Sequence, residues 1–399
     1  MLTTLTEVNS NTTEHNLNVS TSETPRYGPY QHHANNADHF HFYGIGVVIP
    51  FGLLGNFFSI CIFLLSPILR HTTTGQFLVA LAIADSTVLV GEVIRWLSDY
   101  VNGGENYLHT SLGLDIYDTS IVACSIANYL RYGGGLCSVW LTIAIAVERM
   151  LAVAYPLRIS LISTLRRSRV AIFIITVISF SLATFSFWSF RIDQSGPQCK
   201  ISQKYNDDYG IWNKVVLNYG TLIIPGVMIA IITVIIIVLL YRARNKRMSQ
   251  LTVSVPCQRS QRSHFGLSTE IQLTIMLVAV CVATTALRGP YTIAYYERDP
   301  CMFPGACSTL KDAQTYVAVR VTEVFNVINY AINFILYCMS GRSFREQIKK
   351  CMCRGNRPGS NCDSQQTYLE AHPTPLVGSN IRLLKATPKA SSMAQTNNI

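Results

Sequence analysis

From Gly44 to Ser340 the chain alternates long apolar runs with short polar connections. At ~1.5 Å rise per residue, about 20 apolar residues in a helix cross the hydrocarbon layer of a bilayer. Seven such spans can be drawn, at 44–66, 76–98, 120–154, 169–190, 212–241, 270–296 and 313–339. The third and fifth exceed the bilayer thickness and are expected to tilt or protrude. The pattern predicts an all-α integral membrane protein, a seven-transmembrane helix bundle occupying residues 43–340.

The flanks read differently. Residues 1–42 are polar and predict a disordered tail, with no basic stretch and apolar core of a cleavable signal peptide. Residues 341–353 predict a short amphipathic helix, with Phe344 and Ile348 one turn apart on a membrane-facing side and basic residues toward headgroups. Cys351 and Cys353 beside it are candidate palmitoylation sites, or two ordinary reduced thiols. Residues 354–399 are rich in Ser, Thr and Asn and predict a disordered tail bearing phosphoacceptors.

Composition agrees with the pattern. The 399 residues are 49% hydrophobic and only 14% charged, which suits a membrane protein better than a soluble one. The net charge of +10 does not indicate nucleic acid, because the basic residues collect in alternate gaps between spans. Residues 242–269 hold Arg242, Arg244, Lys246, Arg247, Arg259 and Arg262 without an acid, and 157–169 hold four more arginines. The connection 99–118 instead carries Asp99, Glu105, Asp115 and Asp118. The N-terminus is therefore expected outside the plasma membrane and the C-terminus in the cytoplasm. Sequons at Asn11 and Asn18 fit a glycosylated exterior tail.

Charges within apolar runs demand an explanation, since each costs a few kcal/mol near mid-membrane. Glu148 and Arg149 close a run from Tyr132 to Val147 that has no charged side chain. Arg149 either snorkels to the headgroups or is held by Glu148 at rest and released to a partner when helices move. Cys124 lies 25 residues before Arg149, ~37 Å of helix and a full bilayer away. Cys199 falls in the connection between spans four and five on the same outer side, so the two are candidates for a disulfide. Cys301 and Cys307 are candidates for a second, local bridge. Four histidines at 32, 33, 39 and 41 read as part of a solvated tail rather than a metal site.

The motifs together resemble the rhodopsin-like (class A) G-protein-coupled receptors over about 44–353. Gly55-Asn56 sits in span one, Leu81 to Asp85 resembles the span-two signature, and Glu148-Arg149-Met150 resembles the Asp/Glu-Arg-Tyr motif. Pro225 and Pro290 match kinking prolines, and Asn333-Phe-Ile-Leu-Tyr337 resembles Asn-Pro-x-x-Tyr with Phe334 in place of proline. Phe334 with Tyr337-Cys338 and Gly341-Arg342 is similar to invertebrate-type receptors for FMRFamide and myosuppressin.

The resemblance implies roles. Cys124 and Cys199 match the family disulfide. Asp85, with Ser138, Asn329 and Asn333, matches a polar core that holds sodium, or else a water-filled network. Glu92, Arg95, Arg131, Arg320 and Glu323 fall around the ligand cavity, where they contact ligand or pair with each other. Arg131 stands where amine receptors carry an aspartate, which argues against a monoamine. Val327 stands at the retinal-lysine position, and 313–339 contains no lysine, which argues against an opsin. Arg288 replaces the aromatic toggle before Pro290; it faces either Asp85, displacing sodium, or the cavity, favouring an acidic ligand. Glu270 matches an acid that restrains Arg149, and Leu157 a contact for the G protein.

The expected function is a receptor for an extracellular ligand, foremost a neuropeptide, that activates a heterotrimeric G protein. A small carboxylate or other non-peptide ligand is the alternative, and a transporter a more distant one. Arrestin and receptor kinases would act on the C-terminal tail. No catalytic constellation appears in the sequence, and no cofactor is expected.

Overall fold

The computed structural model describes residues 31–66, 69–98, 116–156, 158–192, 199–201, 219–220, 223–251, 261–296, 310–340, 344–346 and 348–349. Its long helices are α1 (Gln31–Leu65), α2 (Thr73–Trp96), α3 (Ile121–Ala154), α4 (Leu165–Ala183), α5 (Ile224–Leu251), α6 (Gln261–Tyr296), α7 (Leu310–Ala331) and α8 (Asn333–Ser340). Helices α1 to α6 are each long and apolar enough to span a membrane. The seventh span is the pair α7 and α8, bent by 58° at Ile332. All seven lie in the first of the chain's two units, Met1–Ile348.

Local chemistry sets where these helices begin. Thr72, Ser120 and Thr164 precede α2, α3 and α4, and each side-chain oxygen accepts a backbone N–H from the first turn. That capping satisfies donors that have no partner within the helix. Pro225 lies in the first turn of α5, where its missing N–H costs nothing. Just before it, residues 219, 220 and 223 form wider π-type turns, and Trp140 on α3 donates to the Gly220 carbonyl at 3.2 Å. Pro290 is inside α6, where it leaves a carbonyl one turn back without its usual donor.

The bundle is organised around α3, which packs on α2, α4, α5 and α6. One apolar core joins Leu78, Leu81, Leu141, Met276 and Tyr337. A second, toward the disulfide end, joins Ile45, Leu89, Val324 and Val327. The outer surface is also apolar. Val47, Phe51 and Leu54 on α1 and Val234, Ile237 and Val238 on α5 are exposed, as lipid contact requires and water would penalise.

Three expectations need correction. Helix α1 begins at Gln31, inside what reads as a disordered tail. Its added turns bury Ala34, Ala37 and His41 along one face, and Asp38 bonds to α7. Hydropathy misses this because the buried polar groups are matched by partners far away in sequence. His41 is consequently buried, not solvated. Finally, Phe344 does not face lipid. It is 3% exposed and packs against Phe63, Phe334 and Tyr337, while Ile348 packs on the same core.

The bend at Ile332 occurs without a proline. Asn56 on α1 donates to the Tyr330 carbonyl at 3.1 Å, just before the break. Asn333, just after it, donates to Asp85 at 2.7 Å. Asn56 thus serves a backbone carbonyl beside the bend, while Asn333 ties the residue after it to α2. Gly55 lets Phe334 approach here, since a Cβ at that position would lie 3.0 Å from the Phe334 Cβ.

Candidate functional site

The residues singled out in the sequence gather at three levels of one bundle. At the disulfide end, Cys124 at the start of α3 is bonded to Cys199, with Cα atoms 5.9 Å apart. Cys199 opens β2 (Cys199–Ile201), which pairs antiparallel with β1 (Phe190–Ile192). The Cys199 N–H also donates to Asp118 at 2.7 Å. Behind this hairpin, Asn128 donates to the Tyr117 hydroxyl at 3.1 Å. Burial pushes the Tyr117 phenol above its ordinary pKa, although the positive charges of Arg95 and Arg131 oppose this.

Toward the same end lies a cluster of charges drawn from four helices. Arg131 on α3 reaches Glu92 on α2 at 2.5 Å and Glu323 on α7 at 3.7 Å. Arg95, one turn after Glu92, reaches Glu323 at 2.8 Å and Glu92 at 3.8 Å. His41 on α1 lies 3.1 Å from the other Glu323 oxygen. A neighbouring set joins Arg320 to Asp38 at 2.8 Å, with the Tyr316 hydroxyl also donating to Asp38 at 2.5 Å. The Arg320 guanidinium is 3.4 Å from the His41 ring. Taking such ions out of water costs several kcal/mol each, so they persist only as pairs. Gly91 makes the closest pair geometrically feasible. A Cβ there would lie 2.7 Å from Arg131 Cγ and 2.8 Å from the Ala127 carbonyl.

At mid-depth, Asp85 is fully buried. Ser138 donates to one of its oxygens at 2.5 Å and Asn333 to the other at 2.7 Å. Asn329 is buried nearby in sequence to Asn333, but the described hydrogen bonds to Asp85 come from Ser138 and Asn333. Arg288 projects into the same interior, 7% exposed, with its guanidinium 5.6 Å from the centre of the Tyr330 ring. Asp85 lies within range of its field, yet the two form no ion pair among the described contacts.

At the opposite end, Glu148 and Arg149 are both buried. Arg149 is 3.6 Å from Glu148 and donates to the Thr74 hydroxyl. Thr74 donates onward to Glu148 at 3.1 Å, Thr73 donates to the same carboxylate, and Ser163 does so at 2.8 Å. The acid is therefore held by three hydroxyls, and the arginine is bound to it both directly and through Thr74. Sequence reasoning named neither the threonines nor Ser163. The signal was present in Thr72-Thr73-Thr74-Gly75, a hydroxyl cluster opening span two at the Arg149 end. Tyr337 is 1% exposed and packs edge-on against Phe63 and Phe344.

Some expected residues lie outside what is described. They are Asn11, Asn18, Leu157, Cys301, Cys307, Cys351 and Cys353, and the side chain of Glu270 within α6. Asp38, Tyr316 and His41 are the residues that sequence reasoning left out of the charged cluster.

A seven-span bundle with a disulfide-pinned hairpin at one end and a clasped Glu-Arg pair at the other defines a class of membrane receptor. The chain matches the 7 transmembrane receptor (rhodopsin family) model over residues 55–337, and it belongs to that family. It is a multi-pass membrane receptor. Over 310 residues it is 24% identical to cysteinyl leukotriene receptor 2 of Homo sapiens, covering 78% of this chain and 80% of that one. It is 22% identical over 328 residues to the thyrotropin-releasing hormone receptor of Mus musculus, covering 77% and 78%. It is 23% identical over 323 residues to the FMRFamide receptor of Drosophila melanogaster, covering 75% of this chain and 51% of the relative.

Proposed function

We propose that the protein binds an extracellular peptide at the charged cluster and activates a heterotrimeric G protein through the Arg149 end. The observation that carries this reading is the cluster of ion pairs itself. Glu92, Arg95, Arg131 and Glu323 come from three helices and are joined at 2.5–3.8 Å. A ligand that exchanges partners with any of them pulls on several helices together. A peptide carries the dispersed charges and amides such a surface can bind. Relatives named for FMRFamide and for thyrotropin-releasing hormone support a peptide. The relative named for a cysteinyl leukotriene favours a second reading, a non-peptide ligand.

In this scheme the N-terminus is outside and carries glycans at Asn11 and Asn18, while the C-terminal tail is cytoplasmic. That tail takes receptor kinases and arrestin, and Cys351 and Cys353 take palmitate. A G-protein helix enters beside Arg149 and Leu157 once the clasp opens. Screening a neuropeptide library for stimulated nucleotide exchange tests the assignment. Failure of every peptide alongside a response to small acids would favour the second reading, and ligand-driven solute flux in vesicles would favour a transporter.

The clasp yields a quantitative expectation. Thr74→Val removes the hydroxyl that links Arg149 to Glu148, and Glu148→Ala removes the acid itself. With Glu270 as a further restraint, the Glu148→Ala, Glu270→Ala double variant should raise ligand-independent nucleotide exchange several-fold. A hydrogen bond to a charged group contributes about 1.5–3 kcal/mol, so losing two shifts the resting equilibrium by about a hundredfold or more, and a several-fold rise in basal exchange follows where the resting state starts out strongly favoured. Basal exchange equal to that of the unmodified receptor, at matched surface expression, would count against the clasp.

A further inference from the structure

The described arginines in the membrane interior can be paired off one by one. Arg131 has Glu92 at 2.5 Å, Arg95 has Glu323 at 2.8 Å, and Arg320 has Asp38 at 2.8 Å. Arg149 has Glu148 at 3.6 Å and the Thr74 hydroxyl. Arg288 is left over. It is 93% buried, yet its Nε and Nη1 have no hydrogen-bond partner among the described residues. The carboxylate whose field it feels, Asp85, has one oxygen taken by Ser138 and the other by Asn333.

What surrounds Arg288 does not replace a partner. The Tyr330 ring, 5.6 Å away, attracts the guanidinium through its face but accepts neither N–H in its plane. That attraction is small beside the cost of holding an ion out of water. A guanidinium keeps its charge in proteins and presents its N–H groups as a planar fork, which suits the two oxygens of a carboxylate. The position is also telling. Arg288 lies two residues before Pro290, where α6 lacks one backbone hydrogen bond, so a group bound there acts beside the weakest turn of α6.

We propose that Arg288 is an anion-binding site in the core of the bundle, taking one singly charged anionic group against the N–H groups of its guanidinium that the Tyr330 ring leaves unpartnered. Two sources share this chemistry: the carboxylate of an entering ligand, and a small inorganic anion such as chloride. The inference follows from the pairing of buried charges and does not require the ligand to be a peptide.

The test uses the purified full-length receptor in detergent and reads its thermal unfolding midpoint at constant sodium. Gluconate, too bulky for a buried site, is replaced stepwise by chloride or by acetate. The expected result is a saturable rise in midpoint of about 5 °C when the anion reaches a hundred times its dissociation constant. A rise with chloride identifies an inorganic ion as sufficient. A rise with acetate alone assigns the fork to a carboxylate. Arg288→Met should abolish both responses and should be no less stable than the unmodified receptor in gluconate, because it removes an unpaired buried charge. If that variant fails to fold, Arg288→Lys serves instead: it keeps the charge, loses the fork, and should weaken acetate more than chloride. Identical midpoints in all three salts, or an undiminished anion response in whichever variant folds, would overturn the proposal.

Discussion

Glu92→Ala or Arg131→Ala alone should destabilise the receptor by about 3–5 kcal/mol, because each strands a buried partner charge. Glu92 is 3% exposed, and the 2.5 Å contact to Arg131 is its shortest ionic bond. Arg95 at 3.8 Å and Glu323 at 3.7 Å offer only partial compensation. The informative variant is the double one. Glu92→Met with Arg131→Met removes both charges and leaves side chains of useful volume, so its loss should be much smaller than the sum of the two singles. Thermal midpoints in detergent, with all four members of the cycle, give the coupling. A double variant as unstable as the sum would mean that the residues act independently and that the pair does not hold α2 to α3. Ligand binding should fail in the double variant even where the fold survives, which separates a structural pair from a pair used in recognition.

Loss of the disulfide is the second large effect. Cys124 and Cys199 are separated by 75 residues, and a loop of that length implies about 4–5 kcal/mol of chain entropy removed from the unfolded state. Without it, the hydrogen bond from the Cys199 N–H to the Asp118 carboxylate and the stacking of Phe190 on Tyr132 still tie the β1–β2 hairpin to α3 and the turn before it. Cys124→Ser and Cys199→Ser should each lose most surface expression, and the double variant should be no worse than either, since one bond is removed in all three. Additive losses would show that the two sulfurs do separate work. Free thiols at both positions in the active protein, detected by mass spectrometry after alkylation, would refute the bridge.

The number and placement of the spans were legible because lipid forces them to be. A segment that leaves its backbone polar groups to itself must be a helix and must be apolar for about 20 residues, so composition alone marks it. The break in the seventh span was less legible. Phe334 occupies the position of the expected proline, and the 58° bend is flanked by the bonds that Asn56 and Asn333 make to their acceptors. Those contacts join residues hundreds of positions apart, and no local pattern encodes them.

The charged residues show the same division. Their presence at Glu92, Arg95, Arg131, Arg288, Arg320 and Glu323 is a property of the sequence, as is the conclusion that ions in a membrane need partners. Which acid pairs with which arginine is a property of packing. Asp38 and His41 were invisible as partners because they sit in a polar stretch, and a stretch reads as polar whether its side chains meet water or the far side of a bundle. Only the approach of α1 to α7 makes Asp38 the counter-ion of Arg320 and His41 a close polar neighbour of Glu323. The same packing encloses Glu148 among hydroxyls from α2 and the loop before α4, and leaves Arg288 against an aromatic ring with no ion pair among the described residues. Sequence by itself determined that this is a seven-span membrane protein with costly charges inside it. Tertiary structure decided the pairs, because electrostatic energy depends on distances across the bundle and the order of residues along a helix fixes only distances within it.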